Sequence, residues 1–184
     1  MGLFDRFKKK EKPDYDPTNL SVRDFDKGFV FEYDMQNWIV KEAYKYDWGS
    51  NSFSKEYKID NGQEQLFLSV DDGDELEITI SKKVKVRLID EDLPEYIVDH
   101  ERPPKKLHYK GKTFYQENES PGYFHDMSNS DKDAWDEFIA WDYYDEDEKL
   151  VICIEQWEER EFEASYGKVV EEYEISNILP GASE

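Results

Sequence analysis

Cysteine and long apolar runs are scarce in this 184-residue sequence. The single cysteine, Cys153, excludes an intramolecular disulfide bond. No apolar stretch approaches the roughly 20 residues that a membrane-spanning helix requires, and residues 1–12 lack the apolar region of a signal peptide. We therefore predict a cytoplasmic protein.

Basic residues are few relative to acidic residues. The chain has 24 Lys and Arg residues against 45 Asp and Glu residues, a formal net charge of −21. Nucleic-acid binding depends on Lys and Arg side chains that displace counterions from phosphates, so this charge argues against it. The expected partners are basic proteins, polyamines or divalent cations, although net charge also serves solubility alone.

Motifs for catalysis, metal binding and phosphate binding are missing. The sequence has no HExxH, no glycine-rich phosphate loop and no EF-hand spacing, and its densest acidic runs fall at expected hairpin turns. Cys153 lies among apolar neighbours at 150–154, where a cysteine usually behaves as a small hydrophobic residue. We predict a non-enzymatic protein without a catalytic residue, metal or cofactor. An enzyme built from scattered carboxylates is the alternative.

Aromatic residues, in contrast, make up 16% of the chain. Each buries roughly 150–250 Å² in a folded protein, which argues against disorder despite the high charge. Apolar and polar side chains alternate along several short segments, at 38–48, 53–59, 66–70 and 76–80. Alternation with period two predicts half-buried strands. Asp60-Asn61-Gly62 and Asp71-Asp72-Gly73 between them predict hairpin turns.

These patterns predict an all-β fold of two tandem, similar antiparallel meander units, either small barrel-like units or a joined sandwich. The expected segments are a basic amphipathic tail and linker at 1–17, a first β unit at 18–92, a connector with a helical turn at 93–106, and a second β unit at 107–181. The polar, Pro- and Gly-bearing segment 118–133 predicts a long loop. Shared parity predicts one common face for five aromatic and apolar residues: Trp38, Val40, Tyr44, Tyr46 and Trp48.

The two halves have matching apolar positions. A shift of 84 residues places Tyr57, Ile59 and Leu68 on Trp141, Tyr143 and Ile152, and a shift of 86 places Ile78 on Ala164. Trp38 then corresponds to Phe114. The match suggests an internal duplication, but any two meanders share period two, so coincidence is an equal alternative.

Several segments together resemble one bacterial family. They are WIVKEAYKYDWG (38–49), KEYKID (55–60), LFLSVDD (66–72), WDYYDE (141–146) and IEQWEEREFEASYGKVVEEYEISNILPG (154–181). This pattern of aromatic and acidic residues with a closing Leu-Pro-Gly resembles the Domain of Unknown Function 4178 family. The resemblance implies a bacterial β-rich domain with at most an accessory role in envelope or membrane-stress gene clusters. It assigns no functional residue.

Residues 1–12 differ from the rest of the chain. Five bases against two acids give them a net charge of +3, so the remainder carries −24. The three hypotheses for this tail are a disordered solubilising segment, weak peripheral contact with anionic lipid, and docking on a protein. The residues expected to make such contacts are Leu3, Phe4, Phe7, Lys8, Lys9 and Lys10.

The second half interleaves aromatic and acidic residues, a combination that attracts ammonium groups and basic side chains. The candidate ligand-binding residues are Trp141, Tyr144, Glu155, Trp157 and Glu163, with Tyr144 expected to be the most exposed ring. The competing interpretation is that these rings fill a β core. The leading function hypothesis is an accessory binding module of a bacterial cytoplasmic complex, with a protein partner and a peripheral location at the inner membrane. The alternative is a small-cation or polyamine-binding protein.

Overall fold

The computed structural model describes residues 15, 16 and 18–181. These residues form eleven strands, two short α-helices and two 3₁₀ turns. The first meander contains β1 (Val30–Tyr33), β2 (Gln36–Asp47), β3 (Phe53–Asp60), β4 (Gln65–Asp72) and β5 (Leu76–Val84). Helices α1 (Val86–Ile89) and α2 (Leu93–His100) follow. The second meander contains β6 (Lys106–Tyr109), β7 (Lys112–Asp126), β8 (Asp136–Asp145), β9 (Leu150–Glu158) and β10 (Glu161–Val169), and β11 (Ser176–Leu179) comes last. The 3₁₀ turns are Val22–Asp24 and Glu172–Glu174.

Tight turns join neighbouring strands, including the turn predicted at Asp60-Asn61-Gly62. Between β3 and β4, Gly62 has a φ of +86°, and its N–H donates to Asp60 Oδ1 at 2.6 Å. Between β6 and β7, Lys110 and Gly111 both have positive φ values. Two successive positive φ values match the twist of the flanking strands, which favours a two-residue hairpin.

The eleven strands form a single antiparallel sheet with the order β11-β1-β2-β3-β4-β5-β10-β9-β8-β7-β6. An additional pairing joins β2 to β7 over Tyr44–Asp126 to Asp47–Tyr123. This pairing closes β2, β3, β4, β5, β10, β9, β8 and β7 into a ring. On the other side of the ring, β5 pairs with β10 from Val84–Ala164 to Thr79–Val169.

A bulge in each long strand makes the ring possible. The register shifts between Val40 and Glu42 in β2, so Lys41 is an extra residue, and between Gln116 and Asn118 in β7, so Glu117 is extra. Beyond an extra residue, the alternation of the strand is shifted by one, so the side chains that would have faced one side of the sheet face the other side. Each long strand therefore packs its first half into its own meander and turns its second half toward the ring.

Three apolar clusters result from this arrangement. The first meander packs Trp38, Tyr57 and Leu68 with neighbours into one core, and the second packs Phe114, Trp141 and Ile152 into another. The third cluster, around Tyr46, Phe138 and Ala140, lies on the inner face of the ring. The expectation that Trp38, Val40, Tyr44, Tyr46 and Trp48 share one face is wrong, because the bulge at Lys41 puts the first two in the core of the first meander and the other three at the ring.

The predicted all-β class with two similar tandem meanders is confirmed. Tyr57 and Trp141 occupy matching places in β3 and β8, as Trp38 and Phe114 do in β2 and β7, and all four are buried. Whether the likeness reflects duplication stays a prediction. The unit boundaries also stay a prediction, although β11, at the end of the second unit, pairs with β1 of the first.

One local expectation differs from the structure. The predicted loop at 118–133 is strand as far as Asp126, since β7 must be long enough to reach β2. The connector at 93–106 contains α2, which buries Leu93 and Ile97 in the core of the second meander. In the part of the chain that the structure describes, no helix has the length and apolar character needed to cross a membrane. The predicted contact residues of the N-terminal tail lie outside the described residues.

Candidate functional site

One mouth of the ring opens into a cavity of about 1080 Å³. Every ring strand contributes to its lining: Tyr44 and Tyr46 from β2, Glu56 from β3, Phe67 from β4, Lys83 from β5, Glu163 from β10, Trp157 from β9, Asp136 from β8, and Phe124 and Asp126 from β7. We call this space the ring cavity. Its walls thus depend on the closure of the ring and not on any one hairpin.

Lys83 is the central cation of the ring cavity. Its Nζ lies 2.8 Å from Glu163 Oε2 and 3.5 Å from Glu155 Oε2, and 5.3 Å from the centroid of the Phe67 ring. The contact with Glu155 on β9 passes over β10, so it spans the concave inner face. Burial opposes the charged form of Lys83, but Glu155, Glu56 and Glu163 raise its pKa overall.

The negative charge of Glu56 is only weakly stabilised by its neighbours. The Tyr46 hydroxyl donates to its Oε1 at 3.2 Å. Burial raises the pKa of Glu56 to about 7, with Lys83 opposing the shift and Glu155 adding to it. Because an acid with a pKa near neutrality takes up or releases a proton under ordinary conditions, the charge of the ring cavity depends on pH.

Glu155 lies at the base of the ring cavity and is only 8% exposed. Its Oε2 has no hydrogen-bond partner among the described residues, since Lys83 approaches without hydrogen-bond geometry. Burial raises the pKa of Glu155. The buried Nε1–H of Trp157 lies near this carboxylate and favours its charged form, although it makes no hydrogen bond of good geometry among the described residues. The Glu155 oxygen and the Trp157 N–H are therefore incompletely satisfied by the described residues, and a bound molecule would complete their hydrogen bonding.

Trp157 provides the largest aromatic surface in the lining of the ring cavity. Its ring stacks on Phe138 with centroids 4.8 Å apart and meets Phe124 edge-on at 5.4 Å. Tyr46 packs against Phe138 and Phe124 from the facing side. These contacts hold the rings in fixed positions next to the carboxylates.

Deeper inside the ring, Cys153 on β9 pairs with Asp142 on β8. Burial raises the pKa of Asp142 to about 6 and raises that of Cys153 well above its ordinary value. Cys153 thus lies on the inner face of the ring, where it packs against the apolar cluster around Phe138 and Ala140, as its sequence suggested, and also pairs with Asp142. Its thiol stays protonated, which makes it a poor nucleophile.

The opposite mouth of the ring is narrower. The Tyr144 hydroxyl donates to Glu77 Oε1 at 2.7 Å, a contact between β8 and β5 that crosses the ring. A space of about 310 Å³ beside this pair is lined by Glu77, Glu117, Asn118, Tyr144, Glu148 and Val169. We call the Tyr144–Glu77 pair the distal bridge.

The structure brings together three of the five residues that the sequence suggested as a site. Glu163 and Trp157 line the ring cavity, and Glu155 lies at its base. Tyr144 is half-buried at the distal bridge, and Trp141 is fully buried in the core of the second meander, where its Nε1–H donates to Glu119 at 3.1 Å.

Sequence reasoning missed Glu56, Lys83 and Phe67. In a flat sheet, the alternation would place the two charged residues on a solvated face. Only the pairing of β2 with β7 turns that face inward. Among the described residues, no group of three or more His, Cys, Asp or Glu side chains is arranged to hold a metal ion.

Comparison with known proteins defines the class of this chain. Residues 26–172 match the model of a family described as Domain of unknown function (DUF4178). The chain belongs to this family, which confirms the resemblance seen in the sequence. It is also 28% identical over 185 residues to an "Uncharacterized protein" of Aquifex aeolicus (strain VF5), covering 98% of this chain and 99% of that relative. No solved structure matches the chain.

Proposed function

We propose that this protein binds small organic cations, specifically aliphatic polyamines, in the ring cavity. The observation that carries the proposal is an imbalance of charge: Glu56, Glu155 and Glu163 surround a single ammonium group, that of Lys83. The wider lining adds five more acids and one more base: Asp126, Asp136, Glu137, Glu158, Glu161 and Lys85. A ligand with ammonium groups would neutralise these carboxylates and donate to Glu155 Oε2.

Aromatic walls favour the same ligand class. The ammonium of Lys83 already lies over the Phe67 ring, which is the geometry of a cation–π contact. Trp157, Tyr44 and Phe124 offer further ring surfaces in the same space. Since alkyl segments pack on aromatic rings and ammonium groups are attracted to them, an alkylamine fits both features of the lining.

The size of the ring cavity favours a small molecule over a protein chain. Ligand sites for small molecules typically enclose about 300–1,000 Å³, and the ring cavity, at about 1080 Å³, is close to that range. Its lining comes mainly from the strands of a closed ring, whereas protein partners usually dock on broad exposed surfaces.

Isothermal titration calorimetry with spermidine at pH 8 tests the proposal. We expect saturable binding to the wild type and at least about tenfold weaker binding to Glu163→Gln and to Glu56→Gln, because each loses a charge-assisted contact. The matched control is Glu91→Gln, which removes an exposed acid between α1 and α2, and it should bind as the wild type does.

Three results would contradict polyamine binding. One is the absence of heat with spermidine, and another is equal weakening in all three variants, which would indicate non-specific attraction. The third is saturable binding of a lysine-rich peptide without binding of spermidine, which would identify a protein partner instead. Titration with calcium under the same conditions separates polyamine recognition from general affinity for cations.

The broader role inferred from the sequence stays a prediction. It comprises a non-enzymatic accessory module in a cytoplasmic complex, with a protein partner and peripheral membrane contact through the N-terminal tail. Polyamine binding is compatible with such a role, because a small ligand could regulate the affinity for a partner. Removal of residues 2–10 followed by liposome sedimentation tests the membrane contact, and unchanged sedimentation would contradict it.

A further inference from the structure

Acidic side chains continue from the ring cavity through the ring to the distal bridge. On β9 and β10, Glu155 and Glu163 are directly paired. Two residues further along β9, Cys153 pairs with Asp142 on β8. A further two residues along, Val151 pairs with Tyr144, which contacts Glu77. The inner face therefore presents carboxylates at successive levels along the ring axis.

The levels are regularly spaced. Residues two apart on one strand point to the same face and are separated by about 6.6 Å. From Trp157 at the cavity to Val151 at the distal bridge, β9 advances by six residues, or about 20 Å. The short alkyl spacers of linear polyamines separate their ammonium groups by a distance comparable to one such step.

Small side chains border this path. The inner face between the two ends carries Ser69, Thr79, Ser81, Ser165 and Cys153. Of these, all but Ser81 are partly accessible to solvent, as is Asp142. These short side chains occupy less of the ring interior at the middle level than the aromatic side chains do at the ring cavity.

An independent observation points to a ligand on this path. Glu155 is more than nine-tenths buried, and its Oε2 has no hydrogen-bond partner among the described residues. It shares the first level of the series with Glu163, with which it is paired, and lies one level from Asp142. The Lys83 ammonium faces this oxygen at 3.5 Å without hydrogen-bond geometry, so a bound donor would complete its hydrogen bonding.

We infer that the ligand is a linear polyamine with at least three ammonium groups, extended along the ring axis. This inference rests on the proposed function. One end contacts Glu56 and Glu163 at the ring cavity, an inner ammonium contacts Glu155 and Asp142, and the far end approaches the distal bridge. The distal bridge closes the path and limits the length of the ligand.

Titration of a length series tests this inference. At pH 8, where Glu56 and Asp142 are ionised, the wild type should bind spermine at least about tenfold more tightly than 1,4-diaminobutane, with spermidine in between, because each added ammonium gains a carboxylate. Asp142→Asn should weaken spermine binding about tenfold and reduce the preference for spermine over the diamine. Glu91→Gln, with the same loss of charge outside the ring, should leave the whole series unchanged.

The outcomes separate the inference from the proposed function. If the diamine binds as tightly as spermine and Asp142→Asn weakens both equally, the ring cavity binds amines but no extended ligand, and the inference is wrong. If none of the three amines binds, the proposed function itself fails. A spermine preference that Glu91→Gln reduces as much as Asp142→Asn does would indicate only attraction to net charge and would also overturn the inference. Circular dichroism and thermal unfolding of each variant exclude misfolding as the cause.

Discussion

Replacement of Glu56 by Gln should stabilise the protein while it weakens ligand binding. Burial raises the pKa of Glu56 from 4.5 to about 7. A carboxyl group whose pKa is higher in the folded state than in the unfolded state favours folding when protonated and opposes it when ionised. Because Gln cannot ionise and can still accept the Tyr46 hydrogen bond, the substitution removes that opposition.

The magnitude follows from the size of the shift. The pKa difference between 4.5 and about 7 corresponds to an upper limit of about 3 kcal/mol. Glu56 is partly exposed and Lys83 lies close to it, so we expect about 2 kcal/mol at pH 8. For a domain of this length, that corresponds to an increase in melting temperature of about 4–8 °C. The gain should decline as the pH falls from 7 to 4.5 and be absent below 4.5, where Glu56 is protonated in both states.

Urea unfolding followed by tryptophan fluorescence at pH 8 and at pH 4.5 measures this difference. The control Glu91→Gln should change the free energy of unfolding by less than about 0.5 kcal/mol at either pH. Equal stability of wild type and Glu56→Gln at pH 8 would refute the reasoning. So would a gain of the same size at both pH values, since ionisation would then not be its cause.

Three further predictions concern other parts of the fold. Gly167→Ala should destabilise the protein by about 3 kcal/mol or more in urea unfolding, because the added Cβ would lie 2.1 Å from the carbonyl oxygen of Ile80 where β10 meets β5; a loss below about 1 kcal/mol would show that the strands separate easily. Trp141→Ala should reduce the free energy of unfolding by about 3–5 kcal/mol, because it leaves a cavity in the core of the second meander. The folded variant should still bind spermidine with an affinity within about twofold of the wild type at 25 °C. A larger loss of affinity would show that this core contributes to ligand binding. Cys153 should react with iodoacetamide at pH 8 much more slowly in the folded protein than in urea, because burial raises its pKa; equal rates would contradict its place inside the ring.

Much of the local structure could be predicted from the sequence, because strands and turns have short-range signals. The alternation around Tyr57 and Ile59 predicted a half-buried strand, and both residues are buried in β3. Gly62 marked a turn that requires a positive φ. The common positions of Tyr57 and Trp141 in two meanders were also visible as a regular shift in sequence.

The closed ring could not be predicted from the sequence. It depends on pairing between segments that are far apart in the sequence and on bulges of a single residue, and neither has a local sequence signal. Residues 44–47 pair with residues 123–126, and nothing local to either segment indicates the other. Lys41 and Glu117 have no feature that marks a bulge. Without these elements, Glu56 and Lys83 belong to an ordinary solvated face, so the sequence identified only the half of the site that lies in the second meander.

The two meanders are joined by two strand pairings of unequal length, β2 with β7 and β5 with β10, and the shorter joint should open more easily. Residues Tyr44 to Asp47 are the only part of β2 that pairs with β7, over four positions, whereas β5 and β10 pair over six. Free energy of local opening scales with the contacts that must be broken, so the shorter joint should exchange its amide hydrogens first. A transient gap there, with the longer joint as pivot, would give a bulky ligand a side entrance in addition to the two mouths of the ring.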